Sequence, residues 1–226
     1  MTNIIQVLSI ASLMILLSAC SSKSQKNTVS ISTASVGVAK NSQIHFPLVL
    51  VDRIENKSLH LEKLGEDVLV IHTGHFLKAT ASKDENVKIL NQIIEAKIDY
   101  VNLAIEDFII ADQLGIDLEA YNIKFLNSSV VNLNEDNIIE KTNIKPFYFH
   151  DDVTIMGLSD KNIDKLLSLD KYIVSDHVLA LIRARKLASK QQTSPSNIVI
   201  IHTMLPAEIN EVMDRLPPNF INSLAD

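Results

Sequence analysis

Val68-Leu-Val-Ile-His-Thr-Gly-His-Phe-Leu77 is the stretch that decides the fold class. An apolar run enters a His-Thr-Gly turn. A strand apolar on both faces belongs in a sheet covered on both sides, and parallel sheets are covered that way. Immediately downstream, Ser82-Lys-Asp-Glu85 forms a capping box. It opens a helix predicted to turn Val87, Leu90, Ile93 and Ile94 inward. Asp99 to Ile105 is the next strand. Strand, helix, strand in this order is the repeating unit of an α/β protein.

Working outward, a short helix runs from about Glu106 to Leu114 and stops at Gly115, and Ile123 to Val131 reads as one further strand. Lys145 to His150 and Val153 to Leu158 flank Asp151-Asp152, the pattern of a two-residue hairpin turn. Ser175 is expected to cap a helix reaching about Lys190, with Val178, Leu179, Ile182 and Leu187 inward. Asn197 to Ile201 forms a strand ending at His202. Pro206 then starts a last helix, which Leu216-Pro-Pro218 ends. Toward the N-terminus, Val29 to Val38 alternates like a strand, and Phe46 to Leu64 has helical spacing closed by Gly65. The sum is α/β, with mixed β-sheets flanked by helices. Val68–Ile71, Tyr100–Leu103 and Ile198–Ile201 are expected as buried neighbouring strands.

Composition narrows the function classes. The chain has 226 residues, 46% hydrophobic and 21% charged, with net charge −6. This is globular, not disordered or collagenous. An acidic surface argues against nucleic acid as a partner. One cysteine forms no intramolecular disulfide. There is no glycine-rich phosphate loop, Cys-x-x-Cys or His-Glu-x-x-His. Ser42, Ser128 and Ser159 lack a Gly-x-Ser-x-Gly context, so a serine hydrolase has no support. Phe46, Phe147, Tyr148 and Phe149 read as packing residues.

Residues 1–19 carry no charge, and Ile4 to Leu17 is mostly apolar. Fourteen residues are too few for a membrane-spanning helix, which needs about 20, but they suit the core of a secretory signal. Leu17-Ser18-Ala19-Cys20 resembles a bacterial lipobox, with Cys20 as the lipidated residue. Two or three acyl chains there would anchor the protein stably. Ser21 after the cysteine resembles sorting to the outer membrane, facing the periplasm, in a two-membrane bacterium. The expected organisation is a lipoprotein signal peptide over 1–19, a lipidated cysteine and flexible tether over 20–28, and one folded domain over 29–226.

The order of segments in that domain resembles the calcineurin-like metallophosphoesterases, in particular the N-terminal domain of bacterial 5′-nucleotidases and UDP-sugar hydrolases. Val68 to Leu77 resembles the family's apolar strand ending in Gly-Asp. Tyr100-Val-Asn-Leu-Ala-Ile-Glu-Asp-Phe108 resembles the strand ending in Gly-Asn-His-Glu-Phe. Asn127-Ser128, the strand Val153 to Leu158 and Ile198 to His202 match further family segments in order. The resemblance implies an α/β/β/α sandwich, truncated, since the family's final Gly-His-x-His motif has no counterpart near Phe220.

The family's chemistry rests on two metals that activate a water against phosphorus. Here the first ligand motif falls on Ser32 to Val38 and supplies no donor pair. His75 replaces the bridging aspartate, Ile105 replaces the asparagine ligand and Glu106 the catalytic histidine. His202 alone keeps its ligand type. The resemblance therefore implies a catalytically degenerate binding pseudoenzyme at the cell envelope, without cofactor, whose partner is an envelope protein or small ligand. The alternative is a divergent phosphoesterase with a mononuclear zinc, iron or manganese site built from His75, Glu106 and His202. Arg183, Arg185, Lys186 and Lys190 put a basic stretch on one helix. It is expected to be a solvated face, anionic lipid being the other reading. His45, His60 and His150 are expected at the surface or in turns.

Overall fold

The computed structural model describes residues 37–38, 48–52, 68–134, 137–161, 171–191, 197–217 and 220. The apolar run of the opening stretch forms β3 (Leu69–His72), buried along its whole length. It sits between β2 (Leu48–Val51) and β4 (Tyr100–Asn102), parallel to both. With β5 (Phe125–Leu126) and β8 (Ile144–Lys145) these strands make an all-parallel five-stranded sheet, ordered β2-β3-β4-β5-β8. A second sheet has the order β1-β12-β10-β9, built from β1 (Gly37–Val38), β12 (Asn197–His202), β10 (Val153–Leu158) and β9 (Phe147–His150). It is mixed: β10 runs parallel to β12 and antiparallel to β9. A small antiparallel sheet, β11-β6-β7, joins β11 (Tyr172–Val174), β6 (Val130–Asn132) and β7 (Asn137–Ile138).

Strand alternation sorts the side chains into three layers. Leu69, Ile71, Tyr100 and Leu126 from the first sheet meet Val153, Ile155, Val199 and Ile201 from the second. Val70, Val101 and Phe125 point the other way, onto α1 (Lys83–Glu95) and α2 (Ile105–Leu114). Met156, Leu158, Ile198 and Ile200 lie under α3 (His177–Gln191) and α4 (Pro206–Arg215). The result is an α/β/β/α sandwich.

The sheets approach closely at Gly157. A Cβ there would lie 2.3 Å from Asn102 Oδ1 and 2.6 Å from Leu126 Cβ. Only glycine lets the second sheet close over the first at this point. Asn102 Nδ2 ties the junction by donating to the carbonyls of Thr73 and Leu158, both at 2.9 Å.

Several expectations are met locally. Ser82 caps α1 in a complete capping box, Gly115 ends α2 in the left-handed conformation, and Pro206 opens α4. Asp151-Asp152 turns the β9–β10 hairpin.

Others are corrected. Leu48–Val51, expected as part of a helix over 46–64, is strand β2, because a β3 buried on both edges needs a second neighbour; residues 46–47 and 53–64 lie outside the described residues. Ile123 to Val131 is not one strand: Asn127-Ser128-Ser129 turns the chain, leaving β5 in the parallel sheet and β6 in the antiparallel one. Ile198–Ile201 is buried but is no sheet neighbour of β3 and β4; it faces them across the interior. Asp176, not Ser175, caps α3, its carboxylate accepting from Leu179 N at 3.1 Å, while the Ser175 hydroxyl donates to Ser129. The buried face of α3 is Val178, Leu181 and the small residues Ala180, Ala184 and Ala188, so Leu179 and Ile182 point outward. On α1, Leu90 and Ile93 are buried with Asn86, while Ile94 is exposed.

Candidate functional site

The carboxyl ends of β3, β4, β10 and β12 bring the sequence-selected residues toward one edge of the sandwich. In open α/β sheets this is the edge where ligands bind. After β3 the chain turns sharply through Gly74, at φ +119°, and His75, at φ +55°. Gly74 is required twice over: its φ is one L residues rarely adopt, and a Cβ would press 2.8 Å against the Thr203 methyl. A non-glycine residue in the left-handed region, such as His75, is a position the surrounding structure holds in place.

Three carboxylates do the holding. His75 Nδ1 lies 2.9 Å from Glu106 Oε2, in the first turn of α2. Its Nε2 lies 3.5 Å from Asp160 Oδ2, just beyond β10. Its backbone N–H donates to Asp107 Oδ2 at 3.0 Å. Burial alone would lower the His75 pKa, but pairing with Asp160 and the charges of Asp107, Asp160 and Glu106 outweigh it and raise it to about 9. His75 is therefore an imidazolium at neutral pH.

Asp107 is wholly buried and accepts from three backbone N–H groups, those of His75, Leu77 and Ala104, each at 3.0 Å. It fixes the loop after β3 to the start of α2. Burial pushes its pKa up to about 6, with the His75 charge and these hydrogen bonds pulling the other way. Behind it, His72 is fully buried; desolvation and the nearby His75 charge drop its pKa to about 3, leaving a neutral ring whose Nδ1 accepts from Gly74 N at 3.1 Å.

The second sheet contributes a polar seam. Ile105 N donates to Ser159 Oγ at 2.8 Å, Ser159 N to Ser129 Oγ at 2.9 Å, and Asp160 N to Thr203 Oγ1 at 2.8 Å. His177 Nε2 donates to the Ser159 carbonyl at 2.8 Å, and burial lowers its pKa. His202 is buried at the end of β12, in register with Leu158 and on the strand face shared by Ile198 and Ile200.

The structure thus joins His75 and Glu106. Among the described residues, no three His, Cys, Asp or Glu side chains converge in a way that could hold a metal ion. Asp160, Asp107 and His177 were not foreseen. Asp160 and His177 carry no motif; their roles arise from contacts across the sheets. Asp107 stood in the quoted Glu-Asp-Phe segment, but with Ala104 at the N-cap no Ser or Thr marks a capping box, so its role at the third residue of the helix was not readable.

Solved structures with similar folds give the wider frame. Sulfate thiohydrolase SoxB of Thermus thermophilus, in complex with glycerol, matches with TM-score 0.54 over 70% of this chain and 30% of its own, at 12% identity. The fold is metallophosphoesterase-like. NAD nucleotidase (NadN) of Haemophilus influenzae matches with TM-score 0.50 over 68% of this chain and 28% of its own, at 19% identity. The chain spans less than a third of the length of either protein. No family model matches it, and no curated protein matches by sequence.

The metallophosphoesterase-like fold implies a two-metal centre at this edge, and the donor set present here does not fit one. Ile105, fully buried, stands where the resemblance puts an asparagine ligand. Both oxygens of Asp107 are taken up by backbone N–H groups. Both ring nitrogens of His75 face carboxylates and carry protons.

Proposed function

We propose that this chain is a lipid-anchored envelope protein whose metallophosphoesterase-like domain is a catalytically degenerate binding module. One observation carries the second part. At the position the resemblance assigns to the bridging carboxylate stands His75, held as a cation between Glu106 and Asp160. A bridging ligand must be an anion that concentrates positive charge, and an imidazolium repels it. The anchor rests on the lipobox-like Leu17-Ser-Ala-Cys20 after an apolar segment, which lies outside the described residues.

The test is the purified full chain assayed on AMP, UDP-glucose and a nitrophenyl phosphate diester with added Mn²⁺, Co²⁺ or Zn²⁺. No turnover above the blank is expected. Metal-dependent turnover abolished by His75→Ala and His202→Ala would replace this reading with a phosphoesterase using a mononuclear site at His75, Glu106 and His202.

A further inference from the structure

The outward face of α3 is the feature that neither the fold nor the site accounts for. Its fifteen residues, His177-Val-Leu-Ala-Leu-Ile-Arg-Ala-Arg-Lys-Leu-Ala-Ser-Lys-Gln191, contain four basic side chains and no acidic one, in a chain of net charge −6. Arg185 is withdrawn from the surface, its guanidinium 5.0 Å from the Phe220 ring centre. Arg183, Lys186 and Lys190 remain exposed. Leu179 and Ile182 join them, 64% and 37% exposed, where a solvated basic face would carry polar residues.

Spacing turns these residues into a stripe. Leu179, Arg183, Lys186 and Lys190 follow one another at intervals of four, three and four, so they line one side of a helix about 22 Å long, with Ile182 beside them. Exposed aliphatic residues interleaved with long cationic ones form a surface that lies in a lipid headgroup layer. The aliphatic groups enter the acyl boundary, and the Lys and Arg stems run along it with their charges at the phosphates. Asp176, at the helix start, is already paired with Arg215 at 2.7 Å and adds no free negative charge to the stripe. Glu211 and Asp214 are exposed on α4, so of the two helices that cover this sheet α3 is the one that presents a cationic face.

We infer that the α3 stripe is the membrane-apposed face of the domain and that its partner is an anionic phospholipid bilayer. The inference rests in part on the proposed anchor at Cys20. From Cys20 to Gly37 the chain reaches at most about 60 Å, and Gly37 enters β1, in the sheet that α3 covers. The segment that carries the anchor therefore enters the domain through the sheet that α3 covers.

The chain contains no tryptophan, so Leu179→Trp makes a single reporter at an exposed position. The full chain carrying it is reconstituted into vesicles of phosphatidylglycerol and phosphatidylcholine. Blue-shifted emission and quenching by brominated lipid are expected, both weakened by 0.5 M salt and absent in phosphatidylcholine alone. Adding Arg183→Gln, Lys186→Gln and Lys190→Gln should lower the embedding equilibrium about 100-fold, at roughly fivefold per charge. Ile94→Trp, on α1 beneath the other sheet, should stay in water.

Flotation with phosphatidylcholine vesicles in 0.5 M salt, where the stripe does not bind, reports the anchor separately. A chain that floats there but leaves the Leu179→Trp reporter unquenched in anionic vesicles keeps the anchor and overturns the membrane face. A chain that does not float, yet is quenched when anionic vesicles are added, overturns the anchor and keeps the face. Equal quenching of the Ile94→Trp reporter, or a blue shift that depends on protein concentration without vesicles, would replace the bilayer with non-specific adhesion or with a second copy of the chain.

Discussion

His75 and Asp160 belong to different sheets, the first in the turn after β3 and the second just past the end of β10, yet His75 Nε2 lies 3.5 Å from Asp160 Oδ2. With Glu106 on the other ring nitrogen, the imidazolium cross-links the two halves of the sandwich at the carboxyl edge of the strands.

This cross-link makes stability depend on pH in a defined window. The folded-state pKa of about 9 lies above the ordinary 6.5, so protonation favours the folded chain. The contribution is fully present below pH 6.5 and is lost as pH rises through about 9. A shift of that size corresponds to roughly 3 kcal/mol. The side chain is 36% exposed, and solvent screening reduces the figure to about 1–2 kcal/mol. Urea unfolding between about pH 6 and 9.5 should show this loss in the wild type and not in His75→Gln. Parallel stability curves for the two proteins would rule the cross-link out.

The misread face of α3 leads to a second prediction. Ala180, Ala184 and Ala188 let the helix sit close on β10 and β12, so the small residues are the buried ones. Ala184→Leu should cost about 1–3 kcal/mol by overpacking a site with no exposed surface. Leu179→Ala and Ile182→Ala should change stability by no more than about 0.5 kcal/mol. Equilibrium denaturation of the three variants checks the order, and a Leu179→Ala costlier than Ala184→Leu would reverse the assignment of faces.

These residues also mark what was legible in the sequence. Strands β3, β4, β10 and β12 were readable because each is an apolar run buried on both sides. The capping box at Ser82 and the turn at Asp151-Asp152 were readable because their signals are local. Hydrophobicity misled at α3, where the large aliphatic residues face out and alanine packs inward. Glu106 was named from sequence as a neighbour of His75, but Asp160 was not. Its part in the site comes from the second sheet folding over the first, which no local spacing encodes. The division of Ile123 to Val131 between two sheets was hidden for the same reason, since a turn built on Asn127-Ser128-Ser129 looks like part of a strand when only its flanks are read.

The anchor predicts a processing phenotype. Cys20→Ser should accumulate an unprocessed or soluble precursor, because the thiol that would carry the diacylglycerol is gone. Labelling with a palmitate analogue and membrane fractionation of the two proteins measure this. A variant that is processed and partitions with membranes as the wild type does would remove the lipid anchor from the proposed function.

The junction at Gly157 gives the sharpest test of the sandwich itself. An alanine methyl there would sit 2.3 Å from Asn102 Oδ1, 2.6 Å from Leu126 Cβ and 3.1 Å from the Leu126 carbonyl. Asn102 has little freedom to yield, because its Nδ2 holds Thr73 on one sheet and Leu158 on the other. Gly157→Ala must therefore separate the sheets or break those two bonds. The first is overpacking, at about 1–3 kcal/mol. The second loses two buried hydrogen bonds, at about 1 kcal/mol each or more. Either way the expected loss is about 2–3 kcal/mol. The double variant Gly157→Ala with Asn102→Ala distinguishes this clash from a backbone effect. Removing the amide frees space on one side of the new methyl, so the double variant should be more stable than the sum of the single changes allows, by at least about 0.5 kcal/mol. The contact with Leu126 remains, and full recovery is not expected. Strict additivity, or a Gly157→Ala protein as stable as the wild type, would mean that the sheets do not close on each other at this point.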